Sequence, residues 1–159
     1  MIPIDQLVAL DFETHLIEPG ILAPRVVCGS RAAAGAAALM DRDAALDFAE
    51  EVLASYHVAG ANVAFDMGCL AAERPRSLPA IFRAYAEGRI YDVLIAQALD
   101  AIAGGHLGVD PRTGGPLRHP STGKQTKRYG LEVCCDLVLG RADAKRNDSW
   151  RLRYAELDG

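Results

Sequence analysis

Residues 6–14 read QLVALDFET, an apolar run that ends in two acids separated by a single residue. Because side chains two apart in a strand point to the same face, this spacing predicts a first β-strand that presents Asp11 and Glu13 side by side. Two carboxylates this close repel each other unless a cation lies between them, and Mg²⁺ and Mn²⁺ prefer carboxylate oxygens as ligands. Taken alone, the triplet also fits an ordinary acidic pair at a strand end.

A third acid follows the short apolar strand predicted at residues 58–61. Asn62 and Asp66 lie at the start of the helix predicted after that strand, where a carboxylate gains from the helix dipole and can project back over the sheet edge. The alternative is that Asn62 caps the helix and Asp66 is a surface acid of its first turn. Each motif is weak by itself, but their order and spacing together are more specific.

The rest of the pattern predicts an α/β protein with a mixed sheet. Three early strands joined by short links, followed by alternating helices and strands, favour an antiparallel three-strand meander extended by parallel strands, with helices on both faces. The alanine-rich residues 36–40 fit either a strand or a helix, and residues 104–127, with six glycines and three prolines, predict a long loop or irregular strands. Strands are predicted at 6–12, 25–29, 36–40, 58–61 and 90–93, and helices at 41–56, 62–74, 78–87, 94–103, 131–139 and 149–157.

Composition excludes several classes of protein. The chain of 159 residues is 50% hydrophobic and 24% charged, which fits one globular domain spanning 1–159. No apolar run approaches the roughly 20 residues that a membrane span needs, and the N-terminus does not resemble a signal peptide. The four cysteines form neither a CxxC motif nor a zinc spacing, so we expect reduced thiols in a cytoplasmic protein with no membrane partner.

Charge is distributed unevenly along the chain. Residues 1–110 hold 7 Lys and Arg against 15 Asp and Glu, a net charge of −8. Residues 111–153 hold 10 against 4, a net charge of +6. An acidic segment followed by a basic segment suits a protein that binds divalent cations and also contacts a polyanion, although a basic segment is as often plain solvated surface.

The acids and their surroundings resemble the DEDD 3′–5′ exonucleases of the ribonuclease H-like superfamily. Asp11-Phe12-Glu13 is similar to the first exonuclease motif, and Asn62-x-x-Phe65-Asp66 is similar to the second. Residues 86–92 and 128–140 resemble the segments that follow, so the resemblance spans nearly the whole chain. Among these enzymes, the chain looks most like the proofreading domains of family A and phage-type DNA polymerases.

The resemblance implies a ribonuclease H-like fold and two-metal hydrolysis, with two Mg²⁺ or Mn²⁺ ions, of phosphodiesters at the 3′ end of single-stranded DNA. It makes Asp11, Glu13 and Asp66 the catalytic metal ligands, and it implies a covalently linked polymerase domain in the full-length protein. The residues that we expect to contact nucleic acid are Phe12, Asn62 and Phe65 near the acids, and Lys124, Lys127 and Arg128 in the basic segment.

The family also needs a fourth acid, an aspartate that follows a tyrosine by four residues. Tyr154 and Asp158 have this spacing, but residues 150–154 resemble the lead-in to a further helix. We therefore expect the true motif beyond residue 159 and a chain that ends before its last catalytic helix. Two alternatives keep the same fold: a DEDD ribonuclease, and a non-catalytic nucleic-acid-binding module, which the missing acid favours and the three acids present disfavour.

Overall fold

The acidic N-terminal strand is the centre of a five-stranded mixed sheet with the order β3-β2-β1-β4-β5. β1, β2 and β3 form an antiparallel meander, and β4 and β5 run parallel to β1. This confirms the predicted mixed α/β sheet. The strands are β1 (Leu7–Thr14), β2 (Val26–Ala33), β3 (Ala36–Asp41), β4 (His57–Gly60) and β5 (Ile90–Asp92).

The structure, a computed structural model, describes residues 2–140, which divide into one unit of residues 2–92 and a second of residues 93–140. The first unit holds the sheet and three helices, and the second holds two helices. The helices are α1 (Arg42–Ser55), α2 (Val63–Glu73), α3 (Leu78–Ala86), α4 (Val93–Ala103) and α5 (Leu131–Leu139). The helix predicted at 149–157 lies outside the described residues, and the placement of helices on both faces of the sheet stays a prediction.

Cross-strand pairing makes the alanine-rich segment a strand, although its sequence also fits a helix. β3 pairs with β2 along its whole length, from Ala36 opposite Ala33 to Asp41 opposite Cys28. The backbone hydrogen bonds of this ladder outweigh the intrinsic helix preference of alanine. Asp41 then begins α1, because its side chain accepts the backbone N–H of Ala44 and so caps the helix.

The core of the first unit lies on one face of β1. Val8, Leu10 and Phe12 alternate with less buried residues and pack with the buried residues of α1 and α2. Gly29, opposite Phe12 in β2, leaves room for this packing, because a Cβ at Gly29 would lie 2.8 Å from the Cβ of Ala45.

The second unit has a small core of its own, built from α4, α5 and the loop between them. Its buried residues are Ala101, Leu117, Tyr129, Val133 and Cys134. All four cysteines of the chain are free thiols, as the sequence predicts. Within residues 2–140, no helix has the length and apolar character that crossing a membrane requires.

Two glycine-to-alanine changes test the packing of β2 against α1. We expect Gly29→Ala to lower the free energy of unfolding by about 1–3 kcal/mol, because the new methyl group overpacks the core. Gly68→Ala is the matched control: Gly68 lies within α2 with no atom within 4 Å of its Cβ position. That change is expected to raise stability by roughly 0.5–1 kcal/mol. Urea denaturation of both variants measures the difference, and equal effects would contradict the packing described.

Candidate active site

Two of the three acids lie on β1, on the face opposite its core side chains. Asp11 is exposed and Glu13 is partly buried, whereas Leu10 and Phe12 between and beside them are buried. In the neighbouring strand, Ser30 pairs with Asp11 and Cys28 pairs with Glu13. The shared face of the two acids is the one that their spacing predicts.

The third acid reaches β1 because β4 is shorter than β1. β4 pairs with β1 only as far as Ala9, opposite Ala59, and it ends at Gly60. The chain then turns through Asn62, whose φ of 63° is in the left-handed region, and α2 starts at the next residue. This turn brings the first turn of α2 to the part of β1 that extends past the end of β4.

At that point the carboxylate of Asp66 takes the place of a strand partner. The backbone N–H of Phe12, three residues past the last pair with β4, donates to Oδ1 of Asp66 at 3.1 Å. The Asp66 side chain is 2% exposed. Because Phe12 stands between Asp11 and Glu13 in β1, this bond fixes the buried carboxylate at the position of the acidic pair.

The three acids interact electrostatically. Burial raises the pKa of Asp66 to about 7, and the negative charges of Asp11 and Glu13 raise it as well, while the hydrogen bond from Phe12 opposes the shift. Burial also raises the pKa of the Cys28 thiol, with further contributions from Glu13 and Asp11. The site therefore concentrates negative charge around a carboxyl group that is costly to ionise.

The donor set of this site has the chemistry of a divalent metal site. Carboxylate oxygens are the hard ligands that Mg²⁺ and Mn²⁺ prefer, and the mutual repulsion that raises the pKa of Asp66 is what a cation offsets. Within residues 2–140, no three His, Cys, Asp or Glu side chains are spaced as ligands of one ion. The residues thus fit the metal by type and by charge, and the metal-ligand roles of the acids stay a prediction.

The other predicted site residues differ in how exposed they are. Phe12 is 5% exposed and its ring packs in the core, so it is not available to stack on a base; its contribution to the site is its backbone N–H. Phe65 is partly buried against the same core, and Asn62 occupies the cap position of α2 without a capping hydrogen bond from its side chain. Lys124, Lys127 and Arg128 are exposed residues of the second unit.

Two residues near the acids were not identified as site residues from the sequence. Burial raises the pKa of Tyr85 on α3, and the charges of Asp92 and Asp66 raise it further, so this phenol lies within the field of the site. Cys28 lies beside Glu13 through the register of β1 and β2. Neither position follows a local sequence signal, since each depends on which strands and helices become neighbours.

Comparison with solved structures identifies the fold. The EXO domain of Nibbler from Aedes aegypti is similar to this chain with a TM-score of 0.52 and 15% sequence identity, over 97% of this chain and 72% of that domain. No family model and no curated protein matches the sequence. At this identity the likeness shows the fold, and it confirms the predicted ribonuclease H-like α/β architecture.

The charge of Asp66 makes stability depend on pH in the absence of metal. The pKa of Asp66 is raised from 3.8 to about 7 in the folded protein. Below about pH 4 both folded and unfolded states are protonated and the group costs no stability; the cost grows between about pH 4 and pH 7, because the unfolded state ionises first, and is constant above that. Asp66→Asn keeps an oxygen that accepts the Phe12 N–H and removes the charge. We expect this variant to gain on the order of 3–4 kcal/mol over the wild type at pH 8 and almost nothing at pH 4.

Urea denaturation in chelating buffer between pH 4 and pH 8 measures this difference. Asp5→Asn, which removes an exposed carboxylate from the first unit, is the control and should change stability only slightly. A stability difference for Asp66→Asn that is the same at pH 4 and pH 8 would contradict the buried, charge-coupled carboxyl described above.

Proposed function

We propose that this chain is a metal-dependent 3′–5′ exonuclease domain that removes nucleotides from the 3′ end of single-stranded DNA. The proposed role is proofreading for a linked polymerase domain of the family A or phage type. The observation that carries the proposal is the hydrogen bond from Phe12 N–H to Asp66 Oδ1, because it joins an acid of α2 to the acidic pair of β1.

Each acid has a distinct environment, which suggests distinct roles. Asp11 is exposed, so its carboxylate is accessible to solvent and to a substrate phosphate group. Asp66 is buried, and its Oδ1 accepts the backbone N–H of Phe12. Glu13 is intermediate in exposure and adds to the negative field at Asp66.

The reaction is hydrolysis of the terminal phosphodiester, in which water adds to phosphorus and the bond to the 3′ oxygen of the preceding nucleotide breaks. Bound Mg²⁺ or Mn²⁺ supplies Lewis-acid stabilisation of the phosphate and activation of the water. The residues of this chain would supply carboxylate oxygens to that cation: Asp11 and Glu13 from β1, and Asp66 from α2.

The similarity to a solved EXO domain supports a nuclease function. The similar Nibbler domain carries the name EXO, and its fold is the one that the two acidic motifs of this chain predict. The resemblance to proofreading domains rests on the sequence motifs and favours DNA as the substrate. RNA is the alternative substrate, and both nucleic acids belong in the test.

Digestion of a 5′-labelled single-stranded oligonucleotide tests the proposal. With Mg²⁺ or Mn²⁺ the wild type should produce a ladder that shortens from the 3′ end, with DNA cleaved faster than RNA of the same sequence. Asp11→Asn, Glu13→Gln and Asp66→Asn should each lower the rate about 100- to 1000-fold, the range found when one charge-stabilising group is removed from an active site. Asp5→Asn should leave the rate unchanged.

The same assay tests whether Asp158 is the fourth acid. This position lies outside the residues that the structure describes. We expect Asp158→Asn to digest at the wild-type rate, and a loss as large as that of Asp11→Asn would identify Tyr154 and Asp158 as the third motif. We expect the chain of 159 residues to digest far more slowly than a chain extended through the next helix, and absence of digestion by both would contradict the proposed function. Digestion that survives Asp11→Asn and Asp66→Asn would place the activity elsewhere.

A further inference from the structure

The glycine-rich segment of the second unit is an ordered hairpin. The backbone N–H of Thr126 donates to the carbonyl of Leu117, and the N–H of His119 donates to the carbonyl of Lys124. An isolated bridge between Arg118 and Gln125 lies between these bonds. Residues 117–128, here named the basic hairpin, thus form two short antiparallel arms, which is the second of the two predicted possibilities.

Specific interactions hold the hairpin in place within its unit. Leu117, at its base, is 1% exposed and belongs to the core of the second unit. Arg112, just before it, pairs with Asp110 and with Asp136 of α5, and it also donates to the backbone carbonyl of Asp136. At the tip, the guanidinium of Arg118 donates to the carbonyl of Gly123.

Lys127 is positioned by the backbone beneath it. Gly108 has a φ of 76°, and a Cβ at that residue would lie 3.0 Å from Cγ of Lys127. The aliphatic part of the lysine therefore lies close against bare backbone, while the residue as a whole is exposed. This arrangement presents the ammonium group to solvent with part of its side chain already ordered.

The charge of the hairpin is not neutralised by its surroundings. There is no Asp or Glu between Asp110 and Glu132, and within the described chain Lys124, Lys127 and Arg128 are exposed and form no ion pair. Arg112 differs, since both of its acidic partners offset its charge. Three cations carried by one hairpin are thus exposed to solvent.

The chemistry of this surface favours nucleic acid over protein as the partner. No large apolar side chain is exposed within residues 117–128, so the hairpin lacks the apolar centre of a protein interface. What it does expose are cations and polar side chains, including Ser121, Thr122 and Gln125, which are donors to phosphate oxygens. Its one aromatic ring, the imidazole of His119, is partly buried beside Glu132.

We propose that the basic hairpin binds the phosphate backbone of single-stranded nucleic acid without base preference, through Lys124, Lys127 and Arg128. The proposal rests on the proposed function in taking nucleic acid as the polyanion. It adds that affinity for the strand comes in part from a surface that contains none of the three acids. Binding through the hairpin therefore does not require hydrolysis or a divalent cation.

Fluorescence anisotropy with a labelled mixed-sequence 20-nucleotide single strand, in chelating buffer, tests this directly. The triple variant Lys124→Gln/Lys127→Gln/Arg128→Gln should bind on the order of 10- to 100-fold more weakly than the wild type at 0.1 M salt. The slope of log K against log salt concentration should become shallower by about 2, because three phosphate contacts are lost. Strands of different sequence should respond alike.

The control makes the same change in net charge on the first unit instead of on the hairpin. Ala44→Glu/Ala54→Glu/Ala72→Glu also lowers the net charge by three, at exposed helical positions of the first unit, and should weaken binding only slightly. Circular dichroism establishes that both triple variants are folded. Unchanged affinity and salt slope in the hairpin variant would overturn the proposal, as would an equal loss in the control.

The outcome is separable from that of the nuclease assay. Hairpin-dependent binding by a chain that digests nothing would contradict the proposed function and leave the hairpin proposal standing. Digestion that depends on Asp11, together with binding that the hairpin substitutions leave unchanged, would support the proposed function and contradict the hairpin proposal. A hairpin that serves an acidic protein partner instead would appear as strand binding unaffected by the triple substitution.

Discussion

A single hydrogen bond, from the backbone N–H of Phe12 to Oδ1 of Asp66, determines how the candidate site is assembled. It exists because β4 ends at Gly60 while β1 continues, so that an amide of β1 meets the start of α2 instead of another strand. A buried backbone donor left without an acceptor there would cost about 1–3 kcal/mol. Oδ1 of Asp66 meets two requirements at once. It accepts the hydrogen bond of that amide, and it holds a third carboxylate near Asp11.

The bond also explains why the site is electrostatically strained without a cation. It holds Asp66 in a buried position near two other acids, where burial and their charge raise its pKa to about 7. Two backbone hydrogen bonds, from Phe12 and from the N–H of Asp66 itself, favour the charged form, but they do not restore an ordinary carboxyl pKa. Without a cation, the buried charge therefore lowers stability at neutral pH, and a bound cation would offset that cost.

Sequence reasoning was most successful where the information is local. The shared face of Asp11 and Glu13 follows from the two-residue period of a strand, and the position of Asp66 early in a helix follows from the strand before it. The same period assigns Phe12 to the opposite, core face, but it could not show that Gly29 across the sheet leaves room for the ring. Nor could it show that residues 117–128 form a fixed hairpin, because pairing of Arg112 with Asp136 joins residues 24 apart.

The central claim is that Asp11, Glu13 and Asp66 form one cation site. Anomalous diffraction from crystals grown with Mn²⁺ tests it most directly. We expect an anomalous peak within about 2.5 Å of carboxylate oxygens from both Asp11 and Asp66, and we expect this peak to be lost in crystals of Asp66→Asn. Well-ordered carboxylates of Asp11 and Asp66 with no peak between them, or manganese bound only at other residues, would contradict it.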